Sequence, residues 1–386
     1  MRRYLIVLFA CTVLALTACA SENKSGGDGG PDGGKPADGG RLYPDPAFIF
    51  EVRNAKMAVT DTPYPEAFSD QFRTTDRLAT LDVRALSHLV DSTWAATADG
   101  LFRRGDDGNA FVRVSLSAKL PPTAEEIVRV SREAYGKDGL VAVATPNSVV
   151  TLTRTGEVAA TYDFEFGPVT AVAAHGENLI AGTSTSIFRW NGAKWQQTNI
   201  KMIINARDLA ITQDDMLLVA TPAGVLIFDA GDISAPEDSW TKESGDLADD
   251  DVRAVTACGD TVVVASTSGI AVHRGKSVTL LTARVGGLPT DKLLSIDCNA
   301  DGFMIGHEIG TSWISADLSI ADHYISPRWI PDNRVPAVAL GAGTDRWAGT
   351  LLGASRIHFV TRTLVQKERV FNSTIPYYWR MDGVTG

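Results

Sequence analysis

An all-β fold, built from one four-stranded antiparallel meander repeated about an axis, is the class this sequence predicts, and three observations predict it. The first is the stretch Val252 to Leu281, VRAVTACGDTVVVASTSGIAVHRGKSVTLL, in which four short apolar runs are separated by CGD, TSG and GK. Runs rich in Val, Ile and Thr with Gly or Asp between them mark hairpins, and Ser266-Thr267-Ser268-Gly269 suits a tight turn whose last residue takes φ > 0. The second is a period. Thr97, Thr145, Thr183, Thr221, Ser266, His307 and Thr350 hold the same place in seven copies of this turn, at spacings of 48, 38, 38, 45, 41 and 43. A mean of about 42 residues fits one blade of a β-propeller. The third is that runs such as Val262-Val263-Val264-Ala265 and Met216-Leu217-Leu218-Val219 do not alternate apolar with polar, so both faces of each sheet are covered. Blades stacked about a centre meet all three conditions. Seven blades are expected, with eight as the alternative.

The innermost strand of each blade lies upstream of its turn. Five copies are plain: Val83-Arg84-Ala85-Leu86, Val169-Thr170-Ala171-Val172, Ala206-Arg207-Asp208-Leu209, Val252-Arg253-Ala254-Val255 and Val335-Pro336-Ala337-Val338. The second and sixth are looser, around Ile127-Val128-Arg129-Val130 and Leu293-Leu294-Ser295-Ile296. Phe72 through Arg84 parallels Trp240 through Arg253, so the N-terminal segment is expected to add an outer strand to the last blade, closing the ring and removing a sheet edge. Trp379 to Gly386 parallels the connector Leu281 to Thr290; either the closing strand ends there or the chain belongs to a longer parent.

Before the repeats stands a different kind of sequence. Met1-Arg2-Arg3 is basic and Tyr4 to Leu16 is an apolar run of 13 residues, too short to span a bilayer but right for the core of a signal peptide. Leu16-Thr17-Ala18-Cys19 resembles the lipobox of bacterial lipoproteins. That resemblance implies that residues 1–18 are removed and that Cys19 becomes the lipid-modified N-terminus. The Ala20 that follows, where an Asp would signal retention, implies sorting to the outer membrane of a Gram-negative cell. Residues 19–41 then read as a tether: Ser21 to Gly40 has no aromatic or β-branched residue and cannot offset the entropy of its own ordering. The propeller is expected over residues 42–386.

The repeats resemble the two-component-regulator propeller family, whose core is roughly G-x-L-W-x-G-T-x-x-G-L. Ser92-Thr93-Trp94-Ala95-Ala96-Thr97-Ala98-Asp99-Gly100-Leu101-Phe102 and Asp345-Arg346-Trp347-Ala348-Gly349-Thr350 carry the likeness. It implies a propeller of the kind found in sensor regions of histidine kinases and in exported proteins. It implies little about chemistry, because the repeated residues are structural.

Composition limits the function classes. The chain has 386 residues and a formal charge of −10, which falls to −12 once Arg2 and Arg3 leave with the signal. Such a body disfavours nucleic acid as a partner. There is no phosphate-binding Gly-rich loop, no His-Glu-x-x-His, no Cys-x-x-Cys and no Gly-x-Ser-x-Gly, so no cofactor or metal is expected. The six histidines lie in different repeats or connectors and share no repeat position; His307 is the odd one, replacing the Thr or Ser of the other six turns. Beyond Cys11 and Cys19 only Cys258 and Cys298 remain. An exported compartment permits a disulfide between them, and two buried thiols are the other state.

One polar pattern stands out. Arg84, Arg207 and Arg253 share a repeat position just after the first residue of the inner strand, which places three guanidinium groups near one mouth of a central channel. A ring of this kind suits an anionic ligand held by bidentate hydrogen bonds. The plainer reading pairs each with a nearby acid such as Asp82, Asp208 or Asp249 to Asp251. Trp190, Trp195, Trp240, Trp329, Tyr377, Tyr378 and Trp379 are scattered over the repeats, as packing aromatics would be, rather than gathered as a sugar platform. The expected function is therefore a lipid-anchored, monomeric, non-catalytic binding module of the cell envelope, facing a protein, a glycan or a small anion. The alternative is an exported lyase or hydrolase with its active site at the axial mouth, since some propeller enzymes leave no linear motif.

Overall fold

The computed structural model describes residues 63–72, 82–89, 92–105, 110–116, 127–200, 203–284, 287–341 and 343–366. They form seven four-stranded antiparallel sheets with strands paired in chain order, apart from one exchange. The exchange involves β1 (Tyr64–Phe72). Blade 1 holds β2 (Val83–Leu89), β3 (Ser92–Thr97), β4 (Gly100–Gly105) and β5 (Val112–Val114). Blade 2 holds β6 (Arg129–Tyr135), β7 (Leu140–Ala144), β8 (Ser148–Leu152) and β9 (Val158–Asp163). Blade 3 comprises β10 (Val169–His175), β11 (Asn178–Thr183), β12 (Ile187–Trp190) and β13 (Trp195–Gln197). In blade 4 these are β14 (Asp208–Ile211), β15 (Met216–Thr221), β16 (Gly224–Asp229) and β17 (Asp238–Trp240), and in blade 5 β18 (Val252–Cys258), β19 (Thr261–Ser266), β20 (Gly269–Arg274) and β21 (Ser277–Leu281). Blade 6 is β22 (Leu293–Asn299), β23 (Gly302–His307), β24 (Gly310–Ser315) and β25 (Ala321–Tyr324). Blade 7 takes β26 (Ala337–Leu340), β27 (Arg346–Thr350) and β28 (Gly353–Arg362) from the C-terminal side and β1 from the other, giving the order β1-β28-β27-β26.

The ring is thus seven-bladed, and the N-terminal strand closes it as expected. β1 pairs along its whole length with β28, from Tyr64 opposite Arg362 to Phe72 opposite Ala354. Each inner strand touches the next, and β26 touches β2, so the circle is complete. At the closing seam Phe72 stacks on Trp347 with ring centroids 5.7 Å apart and meets Phe111 edge-on at 5.4 Å.

The turn that defines the repeat owes its form to two residue choices. The Thr or Ser hydroxyl donates to the carbonyl three residues on, as in Thr97 to Gly100 at 2.7 Å and Ser266 to Gly269 at 2.9 Å, and so satisfies the backbone of the turn. Gly269 has φ +142°, and a Cβ there would lie 2.4 Å from the Leu281 carbonyl. The residue before the Thr or Ser is small in every copy because the inner strand of the next blade crosses there. At Gly349, in the last blade, a Cβ would come within 2.6 Å of Val83 in the first. Second strands such as β3, β11 and β23 are buried throughout, which is why they do not alternate.

Candidate functional site at the arginine-lined mouth

Register decides which side chains reach the axis. In blades 1, 3, 5 and 6 the ladder between the first and second strands skips one residue, leaving out Arg84, Thr170, Arg253 and Leu294. A bulged residue has no ladder partner and is re-aimed. Together with Val128, Arg207 and Pro336 from the other three blades, these form the rim of a bowl of about 670 Å³. Arg84, Arg207 and Arg253 therefore gather at one mouth of the channel. Arg129 and Arg334 join them, as do Asp82, Asn205 and Leu351.

Most of these arginines are held by acids. Arg84 binds Asp82 at 2.9 Å, and Arg253 binds Asp251 at 2.7 Å. Arg207 binds the same Asp251 and also donates to the Val252 carbonyl at 3.0 Å, tying blade 4 to blade 5. Arg334 reaches Glu308 at 3.3 Å. The carboxylate partners anticipated from the sequence are thus present in Asp82 and Asp251. Asp249 instead accepts the hydroxyls of Thr267 and Ser268 at 3.1 and 3.0 Å. Arg129 differs: among the described residues its guanidinium has no carboxylate within ion-pair distance, and it donates to the Val128 carbonyl at 3.1 Å. Among the described residues, five arginines stand against Asp82, Asp251 and Glu308 at this mouth, which leaves them a cationic surplus on a chain of net charge −10.

Below the bowl the channel narrows to a throat of about 30 Å³, lined by Arg84, Arg129, Arg132, Asp208 and Arg253 among others. Arg132 crosses the channel. It binds Asp208 with two nitrogens at 2.8 and 3.3 Å, donates to the Val255 carbonyl at 3.0 Å and lies 3.9 Å from Asp297. Burial alone would lower the Arg132 pKa, but the charges of Asp208 and Asp297 raise it. Burial lifts Asp297 to about 6, against the pull of Arg132 and of the Leu340 N–H that it accepts at 2.8 Å.

The far end of the channel holds a cavity of about 120 Å³ lined by Arg132, Glu133, Thr256, Asp297 and Cys298. Glu133 is bonded to His175, and burial raises its pKa. Cys258 and Cys298 form a disulfide here with Cα atoms 6.0 Å apart, joining blade 5 to blade 6. Cys19 lies outside the described residues. Among those described, no group of three or more His, Cys, Asp or Glu is arranged to hold a metal.

Two features went unread in the sequence. Arg132 sits where three residues of β6, Ser131 to Glu133, face one residue of β7, an irregularity that the looseness of the second copy hints at. The other concerns His307 and His323, which share blade 6: Ser312 bridges them, 3.0 Å from His307 Nε2 and 2.8 Å from His323 Nδ1. The aromatics pack as expected; Trp190 meets Trp195 edge-on at 5.5 Å and Trp240 stacks on His273 at 3.8 Å. Tyr377, Tyr378 and Trp379 lie outside the described residues.

Fold and mouth together define a seven-bladed propeller with a cationic entrance to its channel. No protein-family model matches the chain, and no curated protein is similar to it in sequence. Solved structures are similar in shape. Streptogramin B lyase aligns with TM-score 0.59 at 10% identity, over 76% of this chain and 98% of that one. The extracellular domain of a protein described as a hybrid two component system from B. thetaiotaomicron aligns with TM-score 0.59 at 14% identity, over 76% of this chain and 42% of that one. PorZ, a bacterial surface component of the type-IX secretion system of Porphyromonas gingivalis, aligns with TM-score 0.52 at 13% identity, over 77% and 39%. At these identities the likeness shows the fold. It joins a lyase to extracellular and surface domains, so it assigns no chemistry.

Proposed function

We propose that this chain is an exported, lipid-anchored propeller of the cell envelope, and that its arginine-lined mouth is the face with which it binds a partner or ligand carrying negative charge. The observation that carries the reading is the convergence of Arg84, Arg207 and Arg253, far apart in sequence, on one open bowl. The lipobox at Cys19 and the tether after it support the location, and the extracellular domains among the similar structures agree with export. A catalytic reading finds less support here: among the described residues the carboxylates lining the bowl and throat are Asp82 and Asp208, both held by arginines, and no His, Tyr, Cys or Glu lines either space.

Crosslinking in membranes followed by mass spectrometry tests the binding reading. The native chain is expected to recover a partner or anionic glycan that an Arg84→Ala/Arg207→Ala/Arg253→Ala variant loses. Equal recovery by both would reject the mouth as the binding face, and turnover in a substrate screen would favour the enzyme. For the anchor, Cys19→Ser is expected to move the protein from the membrane pellet to the soluble fraction; a variant still in the pellet refutes it.

A further inference from the structure

Arg84, Arg129 and Arg253 line both the bowl and the throat beneath it, and so stand at the step where a wide cavity becomes a narrow one. The two volumes, about 670 and about 30 Å³, differ more than twentyfold. A space of the smaller size admits about two or three oxygen-sized atoms, since a water needs roughly 10–15 Å³ by the same kind of measure. The larger admits the body of an organic molecule. Around the bowl, Val128, Leu294, Pro336 and Leu351 offer apolar surface between the cationic groups.

Charge compensation is uneven at this step. Arg84 and Arg253 hold Asp82 and Asp251, and Arg132 takes both Asp208 and Asp297. Arg129 lies close enough to feel Asp208, yet its guanidinium is bonded only to the Val128 carbonyl among the described residues. Burial is the main cause that lowers its pKa, and the neighbouring Arg132 adds to it. A half-buried guanidinium with donors to spare, facing a space the size of a carboxylate's oxygens, is matched by a planar or tetrahedral oxyanion that accepts two parallel hydrogen bonds.

Building on the mouth as the binding face, we propose that the throat formed by Arg84, Arg129 and Arg253 holds the oxyanion head of a small amphipathic ligand, a carboxylate or phosphate monoester, whose apolar body lies in the bowl. Arg129 makes the principal contact. Arg84 and Arg253 keep their own acids and narrow the entrance.

Titration calorimetry on the mature full-length chain with hexanoate, hexyl phosphate, inorganic phosphate and hexanol tests this, with far-UV circular dichroism as the check on folding. Hexanoate or hexyl phosphate is expected to bind, the stronger of the two identifying the head group, with hexanol not binding and inorganic phosphate binding more weakly. Arg129→Met is expected to weaken the bound probe roughly 10- to 100-fold, the range for losing a charge-assisted hydrogen-bonded pair. The variant should fold normally, because no described carboxylate is paired with Arg129, and Arg129→Lys should recover part of the loss. Equal binding of hexanol and hexanoate, or failure of both anionic probes to bind the native chain, would overturn the proposal. If a probe responds to Arg207→Met and Arg334→Met at the rim but not to Arg129→Met, the throat assignment falls while the mouth stands as the binding face. If recovery of a partner is also indifferent to the triple Ala variant, both fall.

Discussion

Arg132 on β6 grips Asp208 on β14 across the central channel with two guanidinium nitrogens, at 2.8 and 3.3 Å, while Asp208 also accepts the Val255 N–H at 3.1 Å. Asp208 is 5% exposed, so its charge depends on these partners rather than on water. Removing one side strands a buried ion, whereas removing both leaves two groups of similar shape with far less to satisfy. Arg132→Met is therefore expected to cost about 3–5 kcal/mol. The double variant Arg132→Met/Asp208→Asn should cost clearly less than the two single changes summed. Urea unfolding of all four proteins measures this. Additivity to within about 0.5 kcal/mol would mean that the pair is uncoupled.

Asp297 predicts a pH dependence. Its folded pKa of about 6 lies above that of an unfolded Asp, so between the two values the native state holds the extra proton. Stability then falls as pH rises through about 4 to 6, by up to about 2–3 kcal/mol from this group, and is fully relieved below that window. Asp297→Asn keeps an acceptor for the Leu340 N–H and removes the charge. It is expected to be more stable than the native chain at pH 7.5 and level with it near pH 4. A difference that does not vary with pH would show that Asp297 titrates as an ordinary surface acid.

His307 works in the opposite direction. It is fully buried, its Nδ1 has no partner among the described residues, and burial, helped by nearby His323, lowers its pKa to about 4. A histidine that must stay neutral when folded contributes stability above its unfolded pKa, near 6.5, and loses it as pH falls toward 4. His307→Thr restores the hydroxyl that caps the other six turns, at the cost of the contact with Ser312. The variant is expected to be less stable at pH 7.5, because of the cavity it leaves, yet to lose less on acidification to pH 4.5. Thermal melts at the two pH values decide; an unchanged acid response would remove His307 as the cause.

The propeller was legible in the sequence because the blades solve the same local problem in much the same way. A hydroxyl caps the turn in six of them, a glycine ends it in five, with Ser148 and Ser186 in the other two, and a small residue precedes it in all seven where the next blade crosses. The mouth was legible for the same reason: Arg84, Arg207 and Arg253 share a repeat position, and a shared position means a shared place around the axis. Arg132 was not, because it stands in the irregular part of β6, where repeat alignment has no counterpart to offer. Nor was Arg129, which takes the place of Ala85 in a copy whose inner strand aligns poorly, its neighbour Val128 replacing Arg84 on the rim. The Ser312 bridge between His307 and His323 depends on cross-strand register in blade 6, which no single repeat position reveals.

Closure of the ring supplies the last prediction. Phe72 is the final residue of β1, 2% exposed, and lies in one apolar cluster with Val83 and Leu86 of blade 1 and Trp347 and Ala354 of blade 7. It joins the two ends of the chain at the one seam where neighbouring blades are not consecutive in sequence. Truncating a fully buried Phe costs about 3–5 kcal/mol through lost transfer energy and the cavity left behind. Phe72→Ala is expected to lower the urea midpoint accordingly. Phe68→Ala, in the same strand but only part-buried against His358, should cost less than half as much. The seam should also loosen before the rest of the ring, so amide exchange in β1 and β28 is expected to rise more than in β18 and β19 of blade 5. Uniform acceleration across all blades would mean that the ring opens as a single unit and that its seam is no weaker than any other joint.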